Sequence, residues 1–209
     1  MQIYYLFFWY ICQMKILLIA ATSDEITKES FPNSDILISG VGIANTVFSL
    51  TKQFSQQSYD LVINMGVAGA FNNDFKIGDV VEVVEDSFSE IGFENGVGFS
   101  EFTDFEITNT FKVKGKTNLH KVKWITVNTV HGNEASIVKI VDRLNPDVES
   151  MEGAACFMVC EKFETPCIQI RAISNKVEKR NTANWDLPLA IKNLNNRVEQ
   201  IISVLWNWL

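Results

Sequence analysis

Apolar residues fall into short runs separated by polar, glycine-rich or proline-containing breaks. Short unbroken runs bounded by turn residues read as buried strands. Ile16–Ala20 is the first, and Ala21-Thr22-Ser23-Asp24-Glu25 leaves its carboxyl end. A second covers Asp35 to Ser39, after which Gly40-Val41-Gly42-Ile43-Ala44-Asn45 turns into a helix running to about Gln56. A third covers Leu61 to Met65 and ends in the glycine-rich stretch Gly66-Val67-Ala68-Gly69-Ala70-Phe71. Another strand, entered by a turn at Ile77-Gly78-Asp79, reaches Phe88, and residues 89–123 carry no regular pattern. Trp124 to Val130 alternates and is β-branched, which predicts a strand. His131-Gly132-Asn133-Glu134 then turns into a helix that Asn145-Pro146 stops near Leu144.

The segment 148–180 organises the rest. A polar turn at Val148–Gly153 opens an apolar helix to Lys162, and Thr165-Pro166 ends it because proline lacks an N–H. Cys167 to Ile173 reads as a buried strand with Ser174-Asn175 at its carboxyl end. From Asn181 the pattern turns helical, with Leu187, Ile191, Leu194, Val198, Ile201, Ile202 and Leu205 on one stripe. Trp206 and Trp208 then finish the core or a subunit contact. Strands alternating with helices predict an α/β fold built on a central sheet.

The 209 residues fit one domain, residues 14–209, preceded by the aromatic stretch 1–13. That stretch is too short to span a bilayer, which takes roughly 20 residues, and lacks the basic leader of a secretory signal. We read it as an extension upstream of a natural start at Met14; a membrane- or partner-binding tail is the alternative. A net charge of −7 argues against nucleic acid as partner, and 47% hydrophobic with 21% charged residues is ordinary globular composition. Cys12, Cys156, Cys160 and Cys167 form no CxxC pair, and neither His120 nor His131 has ligand spacing to them. They read as buried free thiols in a reducing, cytoplasmic setting, with no metal.

Ligands of open α/β sheets bind beyond the carboxyl ends of strands. That rule points to Glu25, to Ser174 and Asn175, and to Met151 and Glu152 before the helix. Each has a plainer reading. Glu25 fits a solvated loop acid, Glu152 a first-turn acid facing a helix dipole, Met151 a gap-filling core residue and Asn175 a turn cap. His131 fits a hydrogen-bonded turn residue as well as a general base. Gly40-x-Gly42-x-x-Asn45 is an incomplete dinucleotide fingerprint and weak alone. Arg171, inside an apolar strand, calls for an acid such as Glu152 or Glu149.

Met151-Glu152-Gly153-Ala154-Ala155 followed by Arg171-Ala172-Ile173-Ser174-Asn175 resembles the signature of the nucleoside phosphorylase and nucleosidase superfamily. Within it the chain is similar to the methylthioadenosine/S-adenosylhomocysteine nucleosidases and the futalosine hydrolases. The resemblance implies a single-domain, three-layer α/β/α fold with a mixed twisted sheet. It also implies a homo-oligomer acting on a small nucleoside without cofactor or metal. By the same resemblance Glu25 activates water, Glu152 holds ribose hydroxyls, Met151 packs on the sugar, Gly66 and Val67 belong to a ribose-side loop, and Gly132 to a purine-side loop.

Phosphorylases of this type place Arg and Ser near the first glycine of the ribose-side loop, where this chain has Met65 and Val67, so water is the expected nucleophile. Asn175 stands where the adenosine-type nucleosidases carry Asp. An amide cannot give a proton to N7 of adenine but can donate a hydrogen bond to a 6-oxopurine. With Ser174, Arg171 and the Trp185-Asp186-Leu187-Pro188 stretch, it points to futalosine hydrolysis, which releases hypoxanthine in menaquinone biosynthesis. An adenosine-type nucleosidase, a phosphorylase and a nucleoside-binding protein without turnover remain as alternatives.

Overall fold

The computed structural model describes residues 14–96 and 98–206, with the Trp206 side chain outside the description. The expectations for residues 1–13, which include Cys12, and for the indoles of Trp206 and Trp208 lie outside the described residues.

The strands are β1 (Ile16–Ala20), β2 (Asp35–Ile38), β3 (Leu61–Ala70), β4 (Val80–Phe88), β5 (Phe93–Glu94), β6 (Phe99–Ser100), β7 (Thr110–Lys112), β8 (His120–Thr126), β9 (Val148–Ser150) and β10 (Cys167–Lys176). The helices are α1 (Ile43–Gln56), α2 (Glu134–Leu144), α3 (Gly153–Lys162) and α4 (Leu187–Trp206). One mixed sheet runs β10-β4-β8-β9-β3-β1-β2, and β10 also pairs with β3, so five strands close into a ring. β5 and β6 form a separate hairpin.

Both faces of the sheet are covered, which is why its strands read as unbroken apolar runs. Leu17, Ile19 and Val62 pack with Leu50 and Phe54 of α1 and Ala155 and Phe157 of α3. Their neighbours Ile16, Leu18, Ile63 and Met65 turn to the other face, against Ala190, Leu194 and Val198 of α4. The three layers expected from the sequence are present. α2 lies beside β8, with Ile140 packed on Ile125 and Val127. Asn133 caps it by accepting from the N–H groups of Ala135 and Ser136, and Asn145 closes it in the left-handed region at φ 42°. Among the described residues no helix is long and apolar enough to cross a membrane.

Several boundaries differ from the sequence expectation. β3 does not end at Met65 but continues through both glycines to Ala70, because β10 pairs along that length and β9 joins it at Gly69 and Ala70. Pairing on both sides overrides the low strand propensity of glycine. Val148–Ser150, read as a polar turn, is a buried strand between β8 and β3. β8 lies four residues earlier than expected: Val127 makes the last bond to β9 by donating to the Ser150 carbonyl, and Asn128 turns out to Glu90. β10 runs on to Lys176 across an irregularity between Ile173 and Asn175. A 3-10 turn at Thr182–Asn184 precedes α4, which starts at Leu187 rather than at Asn181.

Candidate active site

The carboxyl ends of β1, β3 and β10, with β9 and the turn before α3, surround a cavity of about 310 Å³. Glu25, Glu149, Met151, Glu152, Ser174 and Asn175 line it. A larger cleft of about 690 Å³ lies elsewhere, between the entry of β4 and α4. It contains none of the residues singled out from the sequence, and the smaller cavity is the one at the strand ends where ligands of α/β sheets bind.

Glu25 closes a 3-10 turn (Ser23–Glu25) after β1 and is 9% exposed. One carboxylate oxygen accepts from Val67 N–H (3.1 Å), and the other accepts from Thr22 N–H (3.0 Å) and the Thr22 hydroxyl (3.3 Å). A Cβ on Gly66 would stand 2.9 Å from the Glu25 Oε1, so only glycine leaves the carboxylate this seat. From α4, Asn195 donates to the Glu25 carbonyl (3.0 Å) and accepts from Thr27 N–H (2.8 Å). No sequence motif marks Asn195; it sits in the polar gaps of the α4 stripe.

Glu152 precedes α3, and one oxygen accepts from Gly42 N–H at 2.9 Å. The weak Gly40-x-Gly42 motif therefore supplies a backbone donor to a carboxylate of the cavity rather than a dinucleotide site. The other oxygen accepts from Met151 N–H at 3.3 Å. Burial pushes the Glu152 carboxyl above its ordinary range, against the opposing pull of the Arg171 charge and the Gly42 N–H.

Asn175 is half-buried. Its Oδ1 accepts from the Ser174 hydroxyl (2.8 Å) and its Nδ2 donates to the Lys176 carbonyl (2.9 Å), which leaves one amide hydrogen uncommitted. It caps no helix. Val67 lines the cavity, whereas Met65 faces the α4 core at 1% exposure and is no part of it.

Three expected residues lie behind the lining. Gly66 sits between Glu25 and Arg171. Gly132 faces Arg180, whose N–H donates to the Gly132 carbonyl (3.0 Å), and Arg180 itself lines the cavity over the Trp185 ring. Arg171 is 1% exposed and forms no ion pair with Glu152 or Glu149, contrary to expectation. Its Nη1 donates to the Asn64 and Ile170 carbonyls, both at 3.1 Å, and its Nη2 donates to the Asn64 Oδ1 at 2.9 Å. The carboxylates it was expected to meet are taken by other donors. The guanidinium instead heads a buried chain in which Asn64 donates to Gln169, Gln169 donates to Asp86, and Asp86 also accepts from Thr126.

Glu149 is instead bound to His131. Its oxygens accept from His131 N–H (2.9 Å) and contact His131 Nδ1 (2.6 Å). His131 is thus a hydrogen-bonded turn residue, and it also lines the cavity. Sequence spacing gave no sign of this pair, because the strand that buries Glu149 reads as a turn.

The three described cysteines are free and buried, and their sulfurs all lie within 4.8 Å of one another. Cys167, seven residues beyond Cys160, joins the helical pair through the packing of β10 under α3. The cluster belongs to the core, outside the cavity lining.

The family model described as the phosphorylase superfamily matches residues 36–207. The chain belongs to the phosphorylase superfamily. A 5′-methylthioadenosine/S-adenosylhomocysteine nucleosidase of Marinomonas sp. is 28% identical over 192 residues, covering 82% of each chain. A futalosine hydrolase of Streptomyces coelicolor is 27% identical over 200 residues, covering 88% of this chain and 85% of that one. The solved structure of a Helicobacter pylori futalosine hydrolase superposes with a TM-score of 0.79 over 91% of this chain and 97% of its own, at 18% identity. That likeness carries the superfamily fold. Overall identity to the two curated enzymes is nearly equal, so the choice between their substrates falls to individual residues of the cavity.

Proposed function

We propose that this chain hydrolyses the N-glycosidic bond of a 6-oxopurine nucleoside, and that its substrate is futalosine, releasing hypoxanthine in menaquinone biosynthesis. One observation carries the reading: Glu25 and Glu152 enter one cavity with Asn175, an amide in place of an acid, on its wall. The nucleosidase and hydrolase names of the curated relatives support the reaction class. Hydrolysis of this bond passes through a ribosyl cation while electrons flow into the base. Glu25, held in place by three donors, takes the proton of the attacking water. Glu152 binds ribose hydroxyls and its charge favours the cation. Met151 packs on the sugar. Asn175 turns its uncommitted hydrogen to N7 or O6 of the base.

The Glu25 carboxylate also argues for water over phosphate. It already accepts from Val67 N–H, a backbone donor of β3 at the cavity wall, so a phosphate seeking that donor would face a carboxylate. We place the enzyme in the cytoplasm as a homo-oligomer in which a neighbour covers Val41 and Val130, which are exposed at the cavity rim. The second reading is a nucleosidase of methylthioadenosine or aminofutalosine; the Marinomonas relative, a methylthioadenosine/S-adenosylhomocysteine nucleosidase, is about as similar to this chain as the futalosine hydrolase is.

Base release from futalosine and from methylthioadenosine, followed by chromatography without phosphate, tests the proposal. Hypoxanthine from futalosine alone is expected, with kcat lowered at least about a hundredfold in Glu25→Gln and in Glu152→Gln. Adenine from methylthioadenosine at a comparable rate would move the assignment to the second reading.

A further inference from the structure

The geometry points to His131, held by Glu149, as the general acid that protonates the departing base; this rests on the hydrolase reading above. Register places the pair. Asn175 of β10 lies opposite Gly69 of β3, and Gly69 lies opposite Glu149 of β9. A Cβ on Gly69 would stand 3.2 Å from Asn175 Nδ2 and 3.7 Å from Glu149 Cγ, so the amide and the carboxylate flank one glycine on one face of the sheet. Whatever base Asn175 touches is therefore next to the His131–Glu149 pair.

The ring is fixed twice by the same carboxylate, through its own backbone N–H and through Nδ1. Phe71 adds an edge contact at 5.9 Å between ring centroids. With Nδ1 committed to Glu149, Nε2 is the free nitrogen, and it has no hydrogen-bond partner among the described residues. A carboxylate that orients an imidazole and balances its charge is a recurrent way to present the other ring nitrogen to a substrate.

Elimination leads to the same residue. The base leaves with an electron pair and needs a proton, which an asparagine cannot give. Glu25 and Glu152 are engaged with Val67, Thr22, Gly42 and Met151, and Glu25 must accept a proton, not donate one. Asp24 is exposed on the Glu25 turn, beside the carboxylate that takes the water proton. Glu149 spends both oxygens on His131, and arginine does not release its proton at working pH. The charged group against His131 is Glu149 of β9; Arg180 packs its Cβ on the adjacent Gly132 and holds its guanidinium over Trp185, and Phe71 presents only carbon.

The step balances. The C1′–N9 bond breaks and its electron pair moves into the base, while the proton on His131 Nε2 moves to the base at N7 and Asn175 donates to O6. The water oxygen bonds C1′ and the water proton goes to Glu25. Sugar and neutral base leave, Glu25 releases the proton it took to solvent, and His131 regains one from it.

The test is the pH dependence of kcat/KM for futalosine in the full-length protein, for wild type, His131→Asn and His131→Gln. Asparagine keeps a donor toward Glu149 and lacks the outer nitrogen; glutamine keeps a donor near the position of Nε2 but transfers no proton. Wild type is expected to lose activity on the alkaline side, and both variants to lose about 10² to 10⁴ in kcat with KM little changed. The alkaline limb is expected to vanish in both. Activity within fivefold of wild type in either folded variant, or an alkaline limb that survives, would overturn the assignment. If wild type releases base and Glu25→Gln abolishes it while the His131 variants stay active, only this inference falls. If wild type releases no base, the hydrolase reading falls and takes this one with it.

Discussion

Asp86 is fully buried in β4, where it accepts from Gln169 (2.8 Å) and Thr126 (2.8 Å) at the foot of α3. The first residue of that helix has to be glycine, since a Cβ on Gly153 would overlap the Asp86 carboxylate and the Gln169 amide. Burial pushes the Asp86 carboxyl up to about 7, against the pull of the two donors and of the Arg171 charge. A carboxyl raised in the folded state binds its proton at pH values where the unfolded chain has released it. Its contribution to stability is therefore complete below the ordinary value of 3.8, declines as pH rises toward about 7, and is level above. The decline is on the order of a few kcal/mol. Other carboxyls superimpose their own slopes, so the comparison is with Asp86→Asn, which shares them. Urea denaturation at pH 5 and pH 8 is expected to show the variant gaining on wild type as pH rises. Parallel profiles would mean that Asp86 is ionised throughout. None of this was legible in the sequence, where Asp86 is one acid among several in a strand. Arg171 was legible as a buried charge needing a partner, but a residue-type rule names acids, and the fold answered with an amide and carbonyls.

At the scale of elements, the sequence showed what periodicity encodes and hid what pairing imposes. Ile16–Ala20, the 43–56 helix and the α4 stripe follow from runs and spacing, because each puts an apolar face on the core, although Phe48 stays exposed and Leu187, expected on the α4 stripe, lines the cavity instead. β9 and the second half of β3 exist only because neighbours pair with them, and both hold cavity residues. Glu25, Glu152 and Asn175 were therefore found at element ends, while Glu149 was not found as a cavity residue. α4 also reaches the site through Asn195, which is 4% exposed and ties together the carbonyl of Glu25 and the N–H of Thr27. Asn195→Ala leaves both backbone groups without that partner, the Glu25 carbonyl among buried residues. A loss of about 1–3 kcal/mol in stability is expected. The same change releases the turn that aims Glu25, and a misplacement of about 1 Å costs about a hundredfold in rate. A variant that loses stability but keeps wild-type kcat would show that Thr22 and Val67 alone hold the carboxylate.

Over the whole molecule, the ring of five strands is what brings residues far apart in the chain to one cavity. β3 and β10 are about a hundred residues apart, yet they pair in parallel from Val62↔Cys167 to Ala70↔Lys176. β10 closes the ring by pairing antiparallel with β4 on its other edge. Cutting either strand out opens the ring and uncovers both core layers at once, so neither exchanges its amides without broad unfolding. Among the described residues of 89–109 the β5–β6 hairpin is the only regular element, and Phe102 and Phe105 there stack on each other while remaining exposed. Hydrogen exchange followed by mass spectrometry is expected to give two classes. Peptides of β3 and β10 should exchange only with global unfolding, slowing and quickening together as denaturant changes. Peptides from 89–109 should exchange through local opening insensitive to denaturant. Saturating ligand should slow the first class further, by an amount set by its concentration over its Kd, since only the folded ring assembles the cavity. Fast exchange in β10 with slow exchange in β3 would mean that the ring opens at that seam in the native state. The cavity would then be a property of only part of the folded population.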